Sequence, residues 1–293
     1  MPHQKEKIYL NALNLAFQDN FLQLAAILKP YPSYAQAWRK ISSLQHIPLS
    51  PQQAWEKLEK SKIKFVLPSE KEYPFLLKEI SVPPRGLYYQ GNFFPEMIPL
   101  AVVGTRKISN YGKTVAKKIV QELVRYNFII VSGLAEGVDT IAHQTALKNG
   151  GRTIAILGSG LDNIYPASNQ KLAQQIIQMG AVVSEYPLGT LPHRSNFPCR
   201  NRIISGLSWG TLVIEAPIKS GALITANFAL EQNREVFAIP GPVFQLNSQG
   251  TNRLIQEGAK LVININDILK ELNIPPSLPI KKQLSFLKKK EKD

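Results

Sequence analysis

A basic segment at residues 193–202, with the sequence HRSNFPCRNR, has the residue types that bind a polyanion. It carries three arginines and one aromatic ring but no acidic residue. Guanidinium groups pair bidentately with phosphates, and the Phe197 ring can stack on a nucleobase. This composition is typical of a groove for single-stranded nucleic acid, although a solvated basic helix start is the alternative interpretation. The candidate ligands in this segment are Phe197, Arg200, Asn201 and Arg202.

Glycine-rich loops are the second kind of candidate site. Each follows an apolar run and precedes a helical pattern, so a phosphate could approach the backbone and reach the free N–H groups of a helix N-terminus. Glycines that merely permit tight turns are the alternative interpretation. The candidates are Gly104, Thr105, Arg106 and Lys107, then Gly133, then Gly158, Ser159 and Gly160, then Lys219, Ser220 and Gly221, with Asn169 and Lys171 as further polar candidates.

Known catalytic and nucleotide-binding motifs are absent from the sequence. The run Gly158–Gly160 lacks the third glycine of the dinucleotide fingerprint, and neither a Walker A nor a Gly-x-Ser-x-Gly motif occurs. Asp139 and His143 have a spacing that could bind a metal on one helix face, but capping and packing explain the pair better. The single cysteine, Cys199, excludes an intrachain disulfide and a cysteine metal cluster. The sequence therefore predicts no enzyme activity, no metal and no cofactor.

The elements that would position these loops repeat in the order strand, glycine turn, helix from residue 98 onward. Near-continuous apolar strands separated by helices predict an α/β fold with a mostly parallel sheet buried on both faces. Ligands of such sheets bind at the carboxyl ends of the strands, where the candidate loops lie. The predicted strands are 99–104, 128–133, 153–158, 181–186, 211–216, 236–241 and 260–264.

The rest of the chain divides into three further regions. Apolar residues at helical spacing before residue 62 predict a small all-helical domain over 1–62. Residues 63–97 are rich in proline but contain two strand-like pieces, which we assign to the edge of a second domain over 63–272. The last region, 273–293, begins with two prolines and becomes rich in lysine, and this pattern predicts a disordered tail.

The net charge indicates the kind of partner. The chain of 293 residues carries 35 Lys and Arg against 21 Asp and Glu, a surplus of +14. Residues 281–293 hold six lysines and two acids, so the rest of the chain keeps ten of these charges. Such a surplus indicates a polyanion, most commonly nucleic acid. No apolar run approaches the roughly 18 residues of a membrane span, and no secretory signal begins the chain. We therefore expect a cytoplasmic protein that does not associate with membranes.

Six ordered segments closely resemble the signature blocks of the DNA processing protein A family, also called DprA/Smf. The resemblance runs almost continuously over residues 63–272, and six motifs in order make it far more specific than any single glycine-rich loop. The segments are VGTR (103–106), SGLAEGVDTIAH (132–143), ILGSGLDNIYPASN (156–169), SEYPLGTLPHRSNFPCRNRIISGLS (184–208), EAPIKSGALITANFALEQNREVFAIPG (215–241) and SQGTNRLIQEGA (248–259).

This resemblance implies an extended Rossmann-like domain preceded by a helical domain similar to sterile-alpha-motif modules. It also implies a homodimer without catalytic activity, which protects incoming single-stranded DNA and loads the RecA recombinase during natural transformation. The pocket for DNA would be lined by Arg106, the Gly158–Gly160 loop, Arg200 and Arg202. Glu136 departs from the family, since its position is often basic in relatives. Many relatives also carry a winged-helix module, for which too few residues follow position 272.

Two other functions remain as alternatives. A Rossmann-like nucleotide phosphoribohydrolase would use a glutamate and arginines near a glycine-rich loop, which Glu215 and the 200–202 segment loosely imitate. The P-G-G-x-G-T-x-x-E loop of those enzymes is absent, however. A sequence-specific regulator of duplex DNA would need a recognition-helix motif, which the sequence also lacks.

Residues 254–272 suggest a dimer interface. They contain more apolar residues than an edge strand and a short helix should need for their own burial. An edge strand exposes backbone donors unless something covers it, and a two-fold partner is the commonest cover. Packing back onto the sheet is the alternative. The predicted interface residues are Leu261, Ile263, Ile268, Leu269 and Leu272.

Overall fold

The seven apolar runs predicted beyond residue 98 all form strands, and two further strands precede them. The computed structural model describes residues 2–17, 21–44, 50–93 and 98–275. Apolar runs of this kind become central strands because both of their faces are buried. Within those ranges the strands are β1 (Lys64–Val66), β2 (Leu87–Gly91), β3 (Ile98–Val103), β4 (Phe128–Ser132), β5 (Thr153–Leu157), β6 (Ala181–Ser184), β7 (Gly210–Val213), β8 (Glu235–Ala238) and β9 (Lys260–Leu261).

The described strands form one sheet in the order β1-β2-β6-β5-β4-β3-β7-β8-β9. Strands β3 to β9 run parallel, whereas β2 is antiparallel to both β1 and β6. The chain adds β4, β5 and β6 on one side of β3 and then β7, β8 and β9 on the other side. The predicted α/β fold with a mostly parallel, Rossmann-like sheet is confirmed. The strand order reverses between β3 and β7, where such sheets leave a crevice at the carboxyl edge.

Helices cover both faces of this sheet, as the alternation of side chains along each strand requires. In β4, Phe128 and Ile130 pack into one apolar cluster, whereas Ile129 and Val131 pack into the cluster on the opposite face. The described helices are α1 (Pro2–Ala16), α2 (Phe21–Leu28), α3 (Tyr34–Leu44), α4 (Pro51–Lys60), α5 (Phe75–Lys78), α6 (Asn110–Arg125), α7 (Val138–Lys148), α8 (Gln170–Met179), α9 (Asn196–Gly206), α10 (Gly221–Glu231), α11 (Leu246–Gln256) and α12 (Ile265–Glu271).

The N-terminal helices pack against the antiparallel edge of the sheet. The hydroxyl of Tyr88 in β2 donates to Oδ1 of Asn11 at 2.9 Å and accepts from Nδ2 of Asn14 at 3.1 Å. All three side chains are buried, and apolar residues of α1 and α4 surround them in the same cluster. The helices and the sheet therefore share a core, and the predicted boundary between two domains at residue 62 stays a prediction.

The C-terminal helix α12 packs back onto the sheet beside α6. Ile268, Leu269 and Leu272 are buried in the apolar cluster on that face. The next buried residue, Ile274, donates its N–H to the carbonyl of Leu269 at 2.8 Å. The first residues of the predicted tail are thus part of the core, while the lysine-rich stretch 276–293 lies outside the described residues. In the part of the chain that is described, no helix has the length and apolar character to cross a bilayer.

The bonds of Tyr88 should stabilise the packing of the helices on the sheet. Replacing Tyr88 with Phe leaves two buried amide groups without their partner, so we expect the free energy of unfolding to fall by about 1–3 kcal/mol. Urea denaturation followed by circular dichroism measures this change. Tyr126→Phe is the matched control, because the Tyr126 hydroxyl makes no side-chain hydrogen bond to a described residue. If both variants lose the same free energy of unfolding, the bonds of Tyr88 do not have this stabilising role.

Candidate nucleic-acid interface

A cleft opens at the carboxyl edge of the sheet, above the ends of β4 and β5. Loops after three neighbouring strands supply its walls, and the first turn of α9 closes it. The residues that line the cleft are Arg106 after β3, Gly133, Ala135 and Glu136 after β4, Tyr165 and Pro166 after β5, and Phe197 and Arg200 in α9. The structure thus brings together the basic segment and the glycine-rich loops that the sequence identified separately.

The buried guanidinium of Arg200 holds the floor of the cleft. Its Nη1 donates to the carbonyl of Gly133 at 2.7 Å and also to the carbonyl of Ile156, so it ties α9 to the ends of β4 and β5. Burial lowers the pKa of Arg200 to about 10, and the group remains charged at neutral pH. The nearby carboxylate of Asp139 accepts the N–H groups of Gly133 at 3.1 Å and Ala135 at 3.3 Å. Arg200 is therefore mainly a structural residue, although its charge faces the cleft.

Two of the predicted glycines make room for these side chains. A Cβ atom at Gly133 would lie 2.7 Å from both terminal nitrogens of Arg200. A Cβ atom at Gly158 would lie 3.0 Å from Cδ1 of Phe197. Both glycines thus admit a neighbouring side chain of the protein itself, so they shape the cleft and do not offer bare backbone to a phosphate.

Aromatic rings and one accessible arginine form the open side of the cleft. The rings of Phe197 and Tyr165 lie 5.7 Å apart between centroids at an angle of 36°, and Tyr165 is 46% exposed. The guanidinium carbon of Arg106 lies 5.6 Å from the centre of the Phe197 ring. Arg106 is exposed and has no ion pair with a described residue. Sequence reasoning missed Tyr165, although an aromatic residue in the third glycine-rich loop was a signal.

Three predicted ligands are instead held by internal hydrogen bonds. Arg202 donates from Nη2 to Oε1 of Glu185 at 2.7 Å in a largely buried ion pair. Burial alone would lower the pKa of Arg202, but the pairing with Glu185 outweighs it and raises the pKa. Asn201 donates to the carbonyl of Gly221 at 3.2 Å, and Asn169 donates to that of Leu134 at 2.9 Å. These residues position loops and do not line the cleft.

The remaining predicted ligands lie elsewhere along the carboxyl edge. Thr105 and Ser159 are buried, whereas Lys107 and Lys171 are exposed. Gly104 and Gly160 lie in the turns after β3 and β5 and are not among the residues that line the cleft. The residues after β7 lie in a different groove, which α10 and α11 form, and these are Lys219, Ser220 and Gly221.

A buried carboxylate occupies the crevice at the reversal of strand order. Glu215 follows β7 and is 1% exposed. Its Oε2 accepts the N–H of Ser109 at 2.9 Å and its Oε1 accepts the Ser109 hydroxyl at 2.5 Å, directly at the start of α6. A helix N-terminus here is where a nucleotide phosphate would bind. Because Glu215 already fills that position and a Cβ at Gly112 would collide with it, this crevice is not a phosphate site. The phosphoribohydrolase alternative needs a free glutamate, and Glu215 is not free because it is bonded to Ser109.

The pair considered for a metal is used in packing. His143 is buried, and its Nδ1 lies 2.6 Å from the Thr153 hydroxyl. Burial lowers the pKa of His143 to about 3, so the ring is neutral. Asp139 bonds to the loop after β4, as described above. Among the described residues no group of three or more metal-ligating side chains comes together.

The residues predicted at a dimer interface fall into two sets. Ile268, Leu269 and Leu272 are buried within the protomer itself, which corresponds to the alternative of packing back onto the sheet. Leu261 and Ile263, at the end of β9, are 37% and 75% exposed. Only these two side chains of the five are accessible to a partner in this conformation.

The fold and the site together define a doubly wound, Rossmann-like α/β protein whose cleft is basic and aromatic and lies beside a blocked nucleotide crevice. Residues 64–273 match the family described as DNA recombination-mediator protein A, and the chain belongs to that family. This finding confirms the relationship that the six sequence segments indicated.

Individual relatives agree with this membership. The chain is 48% identical over 203 residues to DNA processing protein DprA of Streptococcus pneumoniae, with 68% of this chain and 71% of the relative covered. It is 46% identical over 235 residues to Protein Smf of a Synechocystis strain, with 78% of this chain and 59% of the relative covered. The chain thus spans about three fifths of the length of the Synechocystis protein.

Two solved structures are similar in fold and sequence. The X-ray structure of DprA from Streptococcus pneumoniae matches with a TM-score of 0.73 at 40% identity and covers 81% of each chain. DNA processing protein A from Helicobacter pylori matches with a TM-score of 0.64 at 31% identity, over 72% of this chain and 95% of that one. The latter structure is described as giving insight into that protein's mode of binding single-stranded DNA.

Arg200 should contribute more to stability than to the capture of a ligand. In Arg200→Met, the carbonyls of Gly133 and Ile156 lose a charged donor, which costs about 1.5–3 kcal/mol per bond to a charged group. We expect thermal unfolding at a markedly lower temperature. Arg106→Met is the control, since its exposed side chain has no such bonds; a stable Arg200→Met protein would refute this role.

Proposed function

We propose that the chain binds single-stranded DNA in the cleft formed by Arg106, Tyr165 and Phe197. This proposal rests on one observation: the accessible guanidinium of Arg106 lies against the ring of Phe197, and the ring of Tyr165 lies beside it. A phosphate can pair with Arg106 while a base stacks on a ring, which is the usual way in which proteins hold single strands. The surplus of +14 charges adds the long-range attraction that a polyanion ligand needs.

The same geometry favours a single strand over a duplex. Stacking on Phe197 requires a base with a free face, and in a duplex both faces of each base are covered by neighbouring pairs. No helix of the described residues is placed as a recognition helix by the cleft, whose walls are loops and one helix start. The cleft should accordingly accept most sequences, because ring faces and phosphates do not distinguish one base from another.

The biological role that we propose follows from family membership. The protein would protect incoming single-stranded DNA and load the RecA recombinase on it during natural transformation in the cytoplasm. We propose that it does so by binding alone, without a catalytic step; in support, the carboxylate of Glu215 in the crevice is bonded to Ser109. Relatives that carry the name DNA processing protein DprA support this role.

We further propose that the protein is a homodimer joined at the edge of β9. This strand has only two residues and ends the sheet, and Leu261 and Ile263 there are exposed apolar side chains. A second copy would cover both the open edge and these side chains.

The DNA-binding proposal can be tested with two substitutions in the cleft. Arg106→Ala should weaken binding of oligothymidylate by about 1–3 kcal/mol and lower the slope of log affinity against log salt by about 0.7, because one phosphate contact is lost. Phe197→Ala should cost about 1–3 kcal/mol with little change in slope, because a stacked base is lost. Fluorescence anisotropy over a salt series measures both quantities.

Glu136→Gln is the matched control of opposite sign, since it removes an exposed negative charge from the same cleft and should strengthen binding. Duplex DNA of equal length and hydrolysis of AMP are measured in parallel. Unchanged affinity in both cleft variants, equal binding of duplex, or release of the base from AMP would each overturn the proposal.

Charged substitutions at the edge of β9 test the dimer. Leu261→Lys with Ile263→Glu should give a folded monomer by light scattering, because the two side chains are exposed and contribute little to the protomer's own core. Ile268→Lys should instead unfold the protein, since Ile268 is fully buried. A double variant that remains dimeric would place the interface elsewhere.

A further inference from the structure

A turn between β8 and α11 exposes three apolar side chains in close succession. Phe244 is 97% exposed, Val243 is 68% exposed and Leu246 is 71% exposed. Scattered single apolar residues on a surface are ordinary, but a phenylalanine that projects almost entirely into solvent among two aliphatic neighbours is not. Nothing in the proposed cleft uses this turn.

Two side chains hold the first residues of the turn in place. The hydroxyl of Tyr111 donates to the carbonyl of Pro240 at 2.7 Å. The side chain of Asn252 accepts from the N–H of Gly241 at 3.2 Å and donates to its carbonyl at 2.9 Å. Within the turn, the N–H of Gln245 donates to the carbonyl of Pro242 at 3.0 Å. The backbone that carries Phe244 is therefore braced, so it has little backbone entropy to lose when the ring binds a ligand.

The turn lies on the same edge of the sheet as the cleft. It follows β8, and three strand spacings separate β8 from β4, which corresponds to about 14 Å. Lys107 lies between the two places. It follows Arg106 directly, and its carbonyl accepts Nδ2 of Asn247 at 2.8 Å, just beyond the turn. A continuous surface thus leads from Phe197 over Arg106 and Lys107 to Tyr111 and Phe244.

Beyond the cleft, the charged residues of this surface are all basic. No acidic residue occurs between positions 98 and 121, or between 236 and 256, the two stretches that form it beyond the cleft. Lys107 and Lys113 are exposed there. The buried Glu215 lies beneath, but its carboxylate is bonded to Ser109 and does not face solvent.

We propose that Phe244 is a second base-stacking platform, and that a single strand runs from the cleft along the carboxyl edge of the sheet to this turn. The proposal rests on the function proposed above and defines the path of the strand. Lys107 and Lys113 pair with its phosphates on the way, and Tyr111, 42% exposed, borders the path.

The charge of the surface and its continuity with the cleft identify the occupant as nucleic acid. An apolar turn that docks another protein would use Val243, Phe244 and Leu246 together, since their combined area would drive association. A stacking platform needs only the flat ring. The two occupants thus differ in which side chain of the turn matters.

Binding of oligothymidylates of stepwise increasing length tests the path. Phe244→Ala should bind the shortest strands as the unaltered protein does and long strands about five- to tenfold more weakly, because only a long strand reaches the second ring. Phe244→Trp should retain affinity, and its fluorescence should change on saturation with a long strand but not with a short one. Phe244→Leu, which keeps apolar area without the ring, should behave as Phe244→Ala does.

Leu246→Ala is the control within the turn and should leave binding unchanged at every length. If Phe244→Ala binds long strands normally, the turn does not contact DNA and the inference is wrong. If Leu246→Ala weakens the binding of long strands as much as Phe244→Ala does, the turn is a protein-docking surface and the inference is also wrong. Loss of binding at all lengths in Phe197→Ala, with no effect of Phe244→Ala, leaves the proposed function intact and refutes the second platform alone. Normal binding in both phenylalanine variants and in Arg106→Ala refutes the proposed function itself.

Discussion

The buried guanidinium of Arg200 is the constraint on which the candidate site depends. It joins the first turn of α9 to the carbonyls of Gly133 and Ile156, and in doing so brings Phe197 over the ends of β4 and β5. Removing such a charge from water costs several kcal/mol, which only well-placed acceptors offset. Asp139 supports the arrangement by binding the backbone of the loop that provides one of those acceptors. A single internal charge thus sets the position of the aromatic wall.

The carboxylate of Glu215 blocks the position where a ligand of such a sheet usually binds. In doubly wound sheets the crevice at the reversal of strand order usually receives the ligand, and the start of the adjoining helix receives its phosphate. Here the carboxylate of Glu215 takes that place at the start of α6 and satisfies Ser109. The accessible cleft lies instead one to two strands away. Under the proposed function, the ligand lies across the edge of the sheet, and this crevice holds no nucleotide.

Three glycines leave room for side chains of the site. Gly133 and Gly158 leave space for Arg200 and Phe197, and Gly112 leaves space for Glu215. The sequence predicts that Gly133 and Gly158 cradle a phosphate, because glycine in a turn before a helix is the common signal for that role. The structure assigns all three glycines to close packing with the protein's own side chains. Arg106, by contrast, is exposed and has no ion pair with a described residue, so it is accessible to a ligand.

Sequence by itself determined the parallel sheet, because the buried strands are near-continuous apolar runs and most crossovers begin with a glycine turn. It also determined the family and four members of the cleft, since Arg106, Gly133, Phe197 and Arg200 stand in recognisable blocks. Only the tertiary structure decided which arginines are free. Arg202 and Arg200 look equivalent in the chain, yet each is committed by a partner distant in sequence, Glu185 in one case and two strand-end carbonyls in the other. The burial of Ile268 and Leu269 was likewise undecidable from periodicity, because an apolar helix face packs equally well on its own sheet or on a second copy.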